Sequence, residues 1–381
     1  MKLWPTVRLG EVLTPAERSE SPVSGTTYRQ IGVRLWGEGA YEREQMDGSA
    51  TKYTQLFRAK TDDVIVNKIW ARNGSVAVVP SVLSGCFGSG EFPMFAPKRD
   101  RLEPRWMHWL TKTPGFWAQC DEKSQGTSGK NRIKPEQFLR VEIPLPPLAE
   151  QRRVVARIEE LAAQIHEART LRHQAAEEAE ALLRSILSHD EKAKPTPMRE
   201  LVKLRPPDVT VRADETYQFA GVYCFGRGVF KGARKSGMDF AYPRLTRLRA
   251  GEFVYPKLMA WEGALGIVPP ECDGCVVSTE FPVFEVLEDR VLPEVLDTHF
   301  RTPAVWPEIS GASTGTNVRR RRLNPQDFLN YQIPLPSRET QMTLRKVRAE
   351  VDALKRLQAE TAIELDVLLP AILDKAFKGG L

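Results

Sequence analysis

The stretch Ile143-Pro144-Leu145-Pro146 returns as Ile333-Pro334-Leu335-Pro336, and each copy stands directly before a long segment that contains no glycine. A repeat of this length has to be recognised before any helix or strand is assigned, because a missed duplication gives the wrong fold. The two stretches therefore mark the same point in two copies of one structural unit.

The similarity extends upstream from this point. At an offset of 189 residues, Lys68 meets Lys257, the run Glu91-Phe92-Pro93 meets Glu280-Phe281-Pro282, and Gly126-Thr127 meets Gly315-Thr316. One residue is then inserted, so that Arg132 meets Arg322 at an offset of 190. The sequence predicts a tandem duplication, and hence an internal pseudo-two-fold repeat.

The part of each copy before the tetrapeptide contains short β-branched or aromatic runs, such as Val64-Ile65-Val66 and Val276-Val277, separated by glycine and proline. This texture is typical of short strands joined by turns. We expect two similar α+β domains.

The segments after the tetrapeptides, residues 148–188 and 338–378, lack glycine and contain one proline, Pro370. Apolar or small residues advance there in steps of three and four, which predicts two long helices with a heptad seam. Each helix would span about 60 Å at 1.5 Å per residue. Either each helix packs on its own domain or the two pair with each other, and the long seams of matched length favour pairing. The predicted seam positions are Val154, Ile158, Leu161, Ile165, Ala168, Ala175, Ala179, Leu182 and Ile186, then Leu344, Val347, Val351, Leu354, Thr361, Leu365, Leu368 and Ile372.

These boundaries predict four parts. A first domain covers residues 1–147 and a first helix covers 148–190. A second domain covers 191–336, with 191–197 as an exposed linker, and a second helix covers 337–381.

Composition narrows the class of protein. No apolar run approaches the ~18 residues of a membrane span, and the start of the chain lacks a secretory signal, so we expect a cytoplasmic protein and no membrane. The net charge is +6. Residues 1–147 hold 21 Lys and Arg against 16 Asp and Glu, and residues 191–336 hold 20 against 18. The basic excess lies in the predicted domains, which favours nucleic acid as the partner.

No catalytic constellation stands out. The chain lacks a phosphate-binding loop and the Asn/Asp-Pro-Pro-aromatic motif of amino-methyltransferases. Cys272 and Cys275 have the spacing of one zinc knuckle, but a structural zinc needs four ligands and no second pair lies at a suitable distance. We expect no metal site and no enzymatic activity in this chain.

The first junction resembles the DNA-specificity subunits of type I restriction–modification systems. The second junction repeats that pattern in weaker form, with Glu339 and Gln341, and residues 368–379 resemble the usual C-terminus of the family. The resemblance covers the whole chain in domain order. The residues that carry it at the first junction are Ile143-Pro144-Leu145-Pro146-Pro147-Leu148-Ala149-Glu150-Gln151-Arg152-Arg153-Val154-Val155-Ala156-Arg157-Ile158.

The resemblance implies two target-recognition domains separated by two long antiparallel coiled-coil helices, each domain reading one half of a bipartite, asymmetric double-stranded DNA target. It implies assembly with two methyltransferase subunits and with ATP-dependent restriction subunits. Those partners, and not this chain, would bind S-adenosylmethionine, ATP and Mg. A duplicated coiled-coil scaffold or adaptor that binds protein is the alternative. A modification-only complex without a nuclease is also compatible with the sequence.

Two groups of residues are predicted to contact DNA. The loops 126–134 and 315–322 differ in length and content between matched flanks, which suits the reading of different bases. Lys68, Arg72 and Lys257 follow predicted strands, and we assign them equally to phosphate contact or to the shared fold. The predicted DNA-binding residues are Lys68, Arg72, Thr127, Ser128, Lys130, Asn131, Arg132, Lys134, Lys257, Thr316, Asn317, Arg319, Arg320, Arg321 and Arg322.

Overall fold

The computed structural model describes residues 4–125, 131–313 and 321–381. The chain forms two compact units. The first comprises Met1–Thr170 and Thr361–Leu381, and the second comprises Leu171–Glu360.

The globular part of the first unit is built from short strands and four short helices. Val-rich runs form its central strands, and proline occupies the first turn of α2, α3 and α4, where the missing N–H costs no hydrogen bond. Its elements are β1 (Thr6–Arg8), α1 (Leu9–Val12), β2 (Leu13–Pro15), β3 (Ser19–Glu20), β4 (Thr27–Tyr28), β5 (Ile31–Val33), β6 (Ala40–Glu42), β7 (Met46–Asp47), β8 (Leu56–Arg58), β9 (Val64–Val66), β10 (Val76–Val78), β11 (Phe87–Gly88), β12 (Met94–Pro97), α2 (Pro104–Leu110), α3 (Pro114–Glu122), α4 (Pro135–Phe138) and β13 (Glu142–Pro144).

A continuous helix, α5 (Leu148–Ser188), follows and extends from the first unit into the second. The remaining elements are β14 (Lys194–Pro197), β15 (Val202–Leu204), β16 (Val209–Thr210), β17 (Thr216–Tyr223), β18 (Gly228–Ser236), β19 (Arg244–Arg247), β20 (Phe253–Val254), β21 (Gly266–Ile267), β22 (Val276–Ser278), β23 (Val283–Val286), α6 (Pro293–Phe300), α7 (Trp306–Ala312), α8 (Pro325–Asn330), β24 (Gln332–Leu335), α9 (Arg338–Glu360) and α10 (Ala362–Phe377).

The two units repeat the same sheet. Its strand order is β10-β9-β12-β2 in the first unit and β21-β20-β23-β15 in the second, with antiparallel neighbours throughout. The register is also repeated: Val64 pairs with Val78 and Phe95 in the first unit, and Phe253 pairs with Ile267 and Phe284 in the second. Each pairing is displaced by 189 residues, so the duplication read from the sequence is a duplication of structure.

Residues 194–197, predicted as part of an exposed linker, instead form β14, which pairs antiparallel with β24. The pairing of Pro195 with Pro334 repeats that of Thr6 with Pro144 in β1 and β13. Lys194 and Pro195 are exposed, which explains why composition alone gives no sign of a strand here.

The long helices pack antiparallel to each other within each unit. In the first unit, Arg169 on α5 pairs with Asp366 on α10 at 2.8 Å. In the second, Glu180 on α5 accepts from Arg348 at 3.3 Å and from Lys355 at 2.5 Å, both on α9.

The helices also pack on their own globular domains. The apolar seam therefore serves both predicted roles, pairing of the two helices and packing of each helix on its domain. Val154 and Ile158 join the core of the first unit, and Leu344 and Val351 join that of the second. Because the buried stripe must serve the domain as well as the partner helix, it departs from a strict heptad. The predicted seam residues Leu182, Leu354 and Leu368 are exposed, while Leu183 and Leu373 are buried in their place.

A buried glutamine joins each globular domain to its helix. In the first unit, Gln151 Oε1 accepts from the backbone N–H of Glu103 at 2.8 Å, and its Nε2 donates to the carbonyls of Arg101 and Pro146, both at 2.8 Å. In the second unit, Gln341 repeats the same set with Leu292, Arg290 and Pro336 at 3.0, 3.5 and 3.1 Å. Both side chains are buried, so their amides have few alternatives to these partners.

We expect Gln151→Ala to lower the free energy of unfolding by about 3 kcal/mol, because one part-buried N–H, one part-buried carbonyl and one buried carbonyl lose their partner. Gln341→Ala should have a similar effect. Urea unfolding measures both. Gln164→Ala is the matched control: Gln164 is exposed on the same helix, and its replacement should change stability by less than about 0.5 kcal/mol. Equal stability of the Gln151 and Gln164 variants would show that the buried amide does not join the domain to the helix.

Candidate nucleic-acid interface

The structure brings Lys68 next to the end of the predicted DNA-contacting loop. Lys68 follows β9, and its carbonyl accepts from the N–H of Ile133 at 2.9 Å. The carbonyl of Lys257 accepts from the N–H of Leu323 at the same distance. The two groups of predicted residues, separate in sequence, therefore share one place in each unit.

A carboxylate lies between two cations at this place. Glu91 Oε1 lies 3.5 Å from Lys68 Nζ and 3.1 Å from an Nη atom of Arg132. In the second unit, Glu280 pairs with Arg322 and lies 4.0 Å from Lys257 Nζ, which also donates to the carbonyl of Thr279 at 2.9 Å. We call these two sets the cation clusters.

The cation clusters leave a positive surface. Each holds two cations against one carboxylate, and the Arg132 and Arg322 side chains are 52% and 41% exposed. Ion pairs at this exposure contribute little to stability. The carboxylate acts chiefly to position the cations, and the surplus charge suits a DNA phosphate.

The base of the first loop is closed by the backbone. Gln125 and Arg132 exchange N–H to carbonyl hydrogen bonds of 3.1 and 2.9 Å. Asn131 is half-buried and Lys134 is exposed. Arg321, in the second loop, donates to the Ser310 hydroxyl at 2.5 Å. The other predicted loop residues lie outside the described part of the chain: Thr127, Ser128, Lys130, Thr316, Asn317, Arg319 and Arg320.

Arg72 lies in a short 3₁₀ turn, Ala71–Asn73, and is half-buried. The turn ends at Gly74, whose φ of +77° favours glycine, and a Cβ there would lie 2.7 Å from Trp117 Cε2. Gly263 has the same φ in the second unit. The turn is therefore duplicated, but the position that corresponds to Arg72 in the second copy is Trp261. A cation at the same position in both copies is thus found for Lys68 and Lys257 and not for Arg72.

Sequence reasoning missed the side chains of a cleft that opens beside Glu91, among them Gln30, Arg43 and Trp70. The signal that could have revealed them is the offset of 189: residues of different chemistry occupy these positions in the second copy.

No group of three or more His, Cys, Asp or Glu side chains suited to a metal is found among the described residues. Cys272 and Cys275 are buried in the second unit, where burial raises the pKa of the Cys272 thiol to about 11. Within residues 4–125, 131–313 and 321–381, no helix is long and apolar enough to cross a membrane.

Residues 1–172 match the family model of the type I restriction modification DNA specificity domain. Residues 1–172 belong to this family. The second unit repeats the strand registers of the first, so the specificity-domain fold occurs twice in the chain. No curated protein matches the chain by sequence.

Two solved structures cover the full chain. The HsdS subunit from Thermoanaerobacter tengcongensis is 25% identical, with a TM-score of 0.59 over 100% of this chain and 99% of that one. A chain from work on complex assembly and conformational transition of the type I R-M system is 23% identical, with a TM-score of 0.68 and complete coverage of both chains. The predicted family is confirmed for residues 1–172, and the duplicated α+β fold is confirmed over the full chain. The chain functions in DNA target recognition, and the scaffold alternative is not favoured.

We expect Lys68→Ala to weaken binding to all DNA sequences alike, because a phosphate contact carries no base preference. A plot of log affinity against log salt concentration should lose about 0.9 of its slope, the contribution of one phosphate. Lys60→Ala is the matched control, since Lys60 is an exposed lysine before β9 whereas Lys68 follows it. A loss confined to one base substitution in the target would contradict the assignment to phosphate.

Proposed function

We propose that this chain is the specificity subunit of a type I restriction–modification complex and that it recognises a bipartite, asymmetric DNA target. The domain of residues 1–147 would read one half-site and that of residues 191–336 the other, with residues 148–190 and 337–381 as spacer helices. The observation that carries this proposal is the pair of cation clusters: Lys68 and Arg132 in one unit, and Lys257 and Arg322 in the other, each beside a loop of different sequence.

Asymmetry of the target follows from the covalent duplication. A homodimer presents identical surfaces and reads a palindrome, whereas two domains in one chain can diverge independently. The loop residues Ser128-Gly129-Lys130-Asn131 and Asn317-Val318-Arg319-Arg320-Arg321 have diverged in this way. The two half-sites should therefore differ in sequence.

Catalysis would belong to partner subunits. We propose two methyltransferase subunits that use S-adenosylmethionine, and restriction subunits that use ATP and Mg. A structure of similar fold comes from work on assembly of the type I R-M system, which supports a multisubunit complex. This chain would contribute target choice and no reacting group, and it would act in the cytoplasm, where such a complex meets DNA.

Replacing Arg319, Arg320, Arg321 and Arg322 by alanine should weaken DNA binding and flatten its salt dependence, because arginines of this loop would contact bases or phosphates. Binding measured at several salt concentrations gives both quantities. Arg356→Ala removes an exposed arginine of α9 and serves as the control. If the quadruple variant kept its affinity at every salt concentration, the loop would not be part of the interface.

The long helices should set the gap between the half-sites. For two domains on one face of a straight duplex, the expected separation is about one helical turn, ~10 base pairs centre to centre. Inserting four residues near Ala175 should lengthen α5 by ~6 Å, or ~2 base pairs, and keep its faces nearly in phase. The second helix needs a matching insertion. The ion pairs Arg169–Asp366 and Glu180–Lys355 bracket the opposing point, which lies near the break between α9 and α10.

Genome-wide mapping of methylation in the double-insertion variant should show unchanged half-sites with a longer nonspecific gap. The variant with the α5 insertion alone is the control, since an unmatched insertion would bulge. Unchanged half-sites with an unchanged gap in the double variant would exclude the helices as the spacing element.

A further inference from the structure

A cleft of about 200 Å³ lies in the first unit, beside the cation cluster. Glu91, which holds Lys68 and Arg132, forms part of its wall, and so does Asn67, which directly precedes Lys68. Any duplex whose phosphates contact Lys68 and Arg132 would therefore pass close to this cleft.

The rim of the cleft carries exposed side chains of the kinds that recognise ligands. Trp70 is 45% and Tyr53 is 51% exposed. Asn67 Oδ1 accepts from the N–H groups of Ile69 and Trp70 at 3.1 and 3.3 Å, which fixes the backbone that carries the indole. Arg43 is exposed, and its guanidinium forms no hydrogen bond or ion pair with the described residues. Aromatic and arginine side chains exposed together are characteristic of binding surfaces.

The backbone around the cleft is repeated in the second unit without a change of register. Ile31 pairs with Glu42 in β5 and β6, and Ala220 pairs with Lys231 in β17 and β18, again 189 residues on. The corresponding positions can therefore be compared one by one.

Some positions keep their chemistry and others do not. Tyr53 corresponds to Tyr242, which is 41% exposed, and Glu91 corresponds to Glu280. Three other positions of the cleft change their chemistry: Gln30 becomes Phe219, Arg43 becomes Gly232 and Trp70 becomes Met259. The backbone around the cleft and the carboxylate are thus the same in both units, whereas other side chains differ. Recognition of two different half-sites requires such a combination.

We propose that Gln30, Arg43 and Trp70 select the bases of the first half-site, and that Phe219, Gly232 and Met259 occupy the same role in the second. The occupant is the base edges of duplex DNA in the major groove. Arg43 supplies the paired donors that recognise guanine, and the apolar set of Phe219, Gly232 and Met259 suits the methyl group of thymine. This inference rests on the proposed function and adds to it base-selecting residues outside the predicted loops.

The test replaces cleft residues by their counterparts in the other copy. The full chain, assembled with its modification subunits, selects sites from a pool of random duplex DNA. Arg43→Gly and Trp70→Met should each relax preference at one or two base pairs of the first half-site, with discrimination falling about tenfold to a hundredfold. Met259→Trp should alter the second half-site alone.

Each variant contains its own folding control, because the half-site read by the other unit should stay unchanged. Arg8→Gly removes an arginine from β1, a strand that contributes no residue to the cleft, and should leave both half-sites as they are. If a glycine at position 43 unfolds the domain, Arg43→Lys replaces it. Lysine keeps the charge but cannot pair in the bidentate way, so the same base preference should relax.

The outcomes separate this inference from the proposed function. If the wild-type complex selects two half-sites and the Arg43 and Trp70 variants select the same two, the cleft does not read bases, although the proposed function stands. Failure of the wild-type complex to select any sequence overturns both. Reduced subunit assembly of the cleft variants, with unchanged base preference in the complexes that still form, would show that the cleft binds a protein and would also overturn the inference.

Discussion

The buried amide of Gln151, with its counterpart Gln341, is the constraint on which the arrangement of each unit depends. A primary amide enclosed by protein must satisfy a donor and an acceptor, and here three backbone groups from two segments meet those needs. Apolar packing alone would allow a helix to slide or rotate against its domain at modest cost. A hydrogen-bonded amide does not, because any displacement leaves buried polar groups without a partner. The domain is thereby held in one orientation on its helix, and the same constraint acts at the same position in both units.

The two units nevertheless differ where their helices pack. In the second, the buried guanidinium of Arg348 donates to Glu180 and Asp297. The corresponding positions in the first unit are Ile158, Pro370 and His108, and Ile158 is fully buried in an apolar core. A buried ion pair adds little net stability, but removing one partner is costly. If α9 took the place of the matching helix in the first unit, Arg348 would occupy the position of Ile158, among apolar groups. The ion-pair network therefore favours the observed helix pairing over an exchanged one.

Much of the architecture could be predicted because duplication provides an internal comparison. The helix Leu148–Ser188, the central strands and the shared position of Lys68 and Lys257 all follow from residues matched across the offset. The features that the sequence did not predict correctly have physical causes. Leu182 and Leu183 are equally apolar, and only contact with the domain decides which is buried. The strand β14 was not predicted because proline, here Pro195, is unfavourable within strands. It forms nevertheless, since proline is tolerated in an edge strand such as β14, which pairs with β24. The cleft of the first unit could not be predicted because its residues are distant in sequence and carry no motif.

Duplication also separates what must stay constant from what can change. Strand register, the glutamine hydrogen bonds and the cation clusters are the same in both units. Under the proposed function, the cation clusters would fix where DNA phosphates bind. Arg43 and Gly232 occupy matched positions on that frame, and neither is buried in a hydrophobic core. Arg43 is exposed, and exposed positions on a rigid scaffold tolerate substitution at little cost in stability. Gly232 is half-buried, and a Cβ there would lie 3.2 Å from the Phe219 carbonyl oxygen. If the cation clusters bind phosphates as proposed, base preference would diverge between the halves while fold and DNA geometry persist, and one repeated structure would serve two different half-sites.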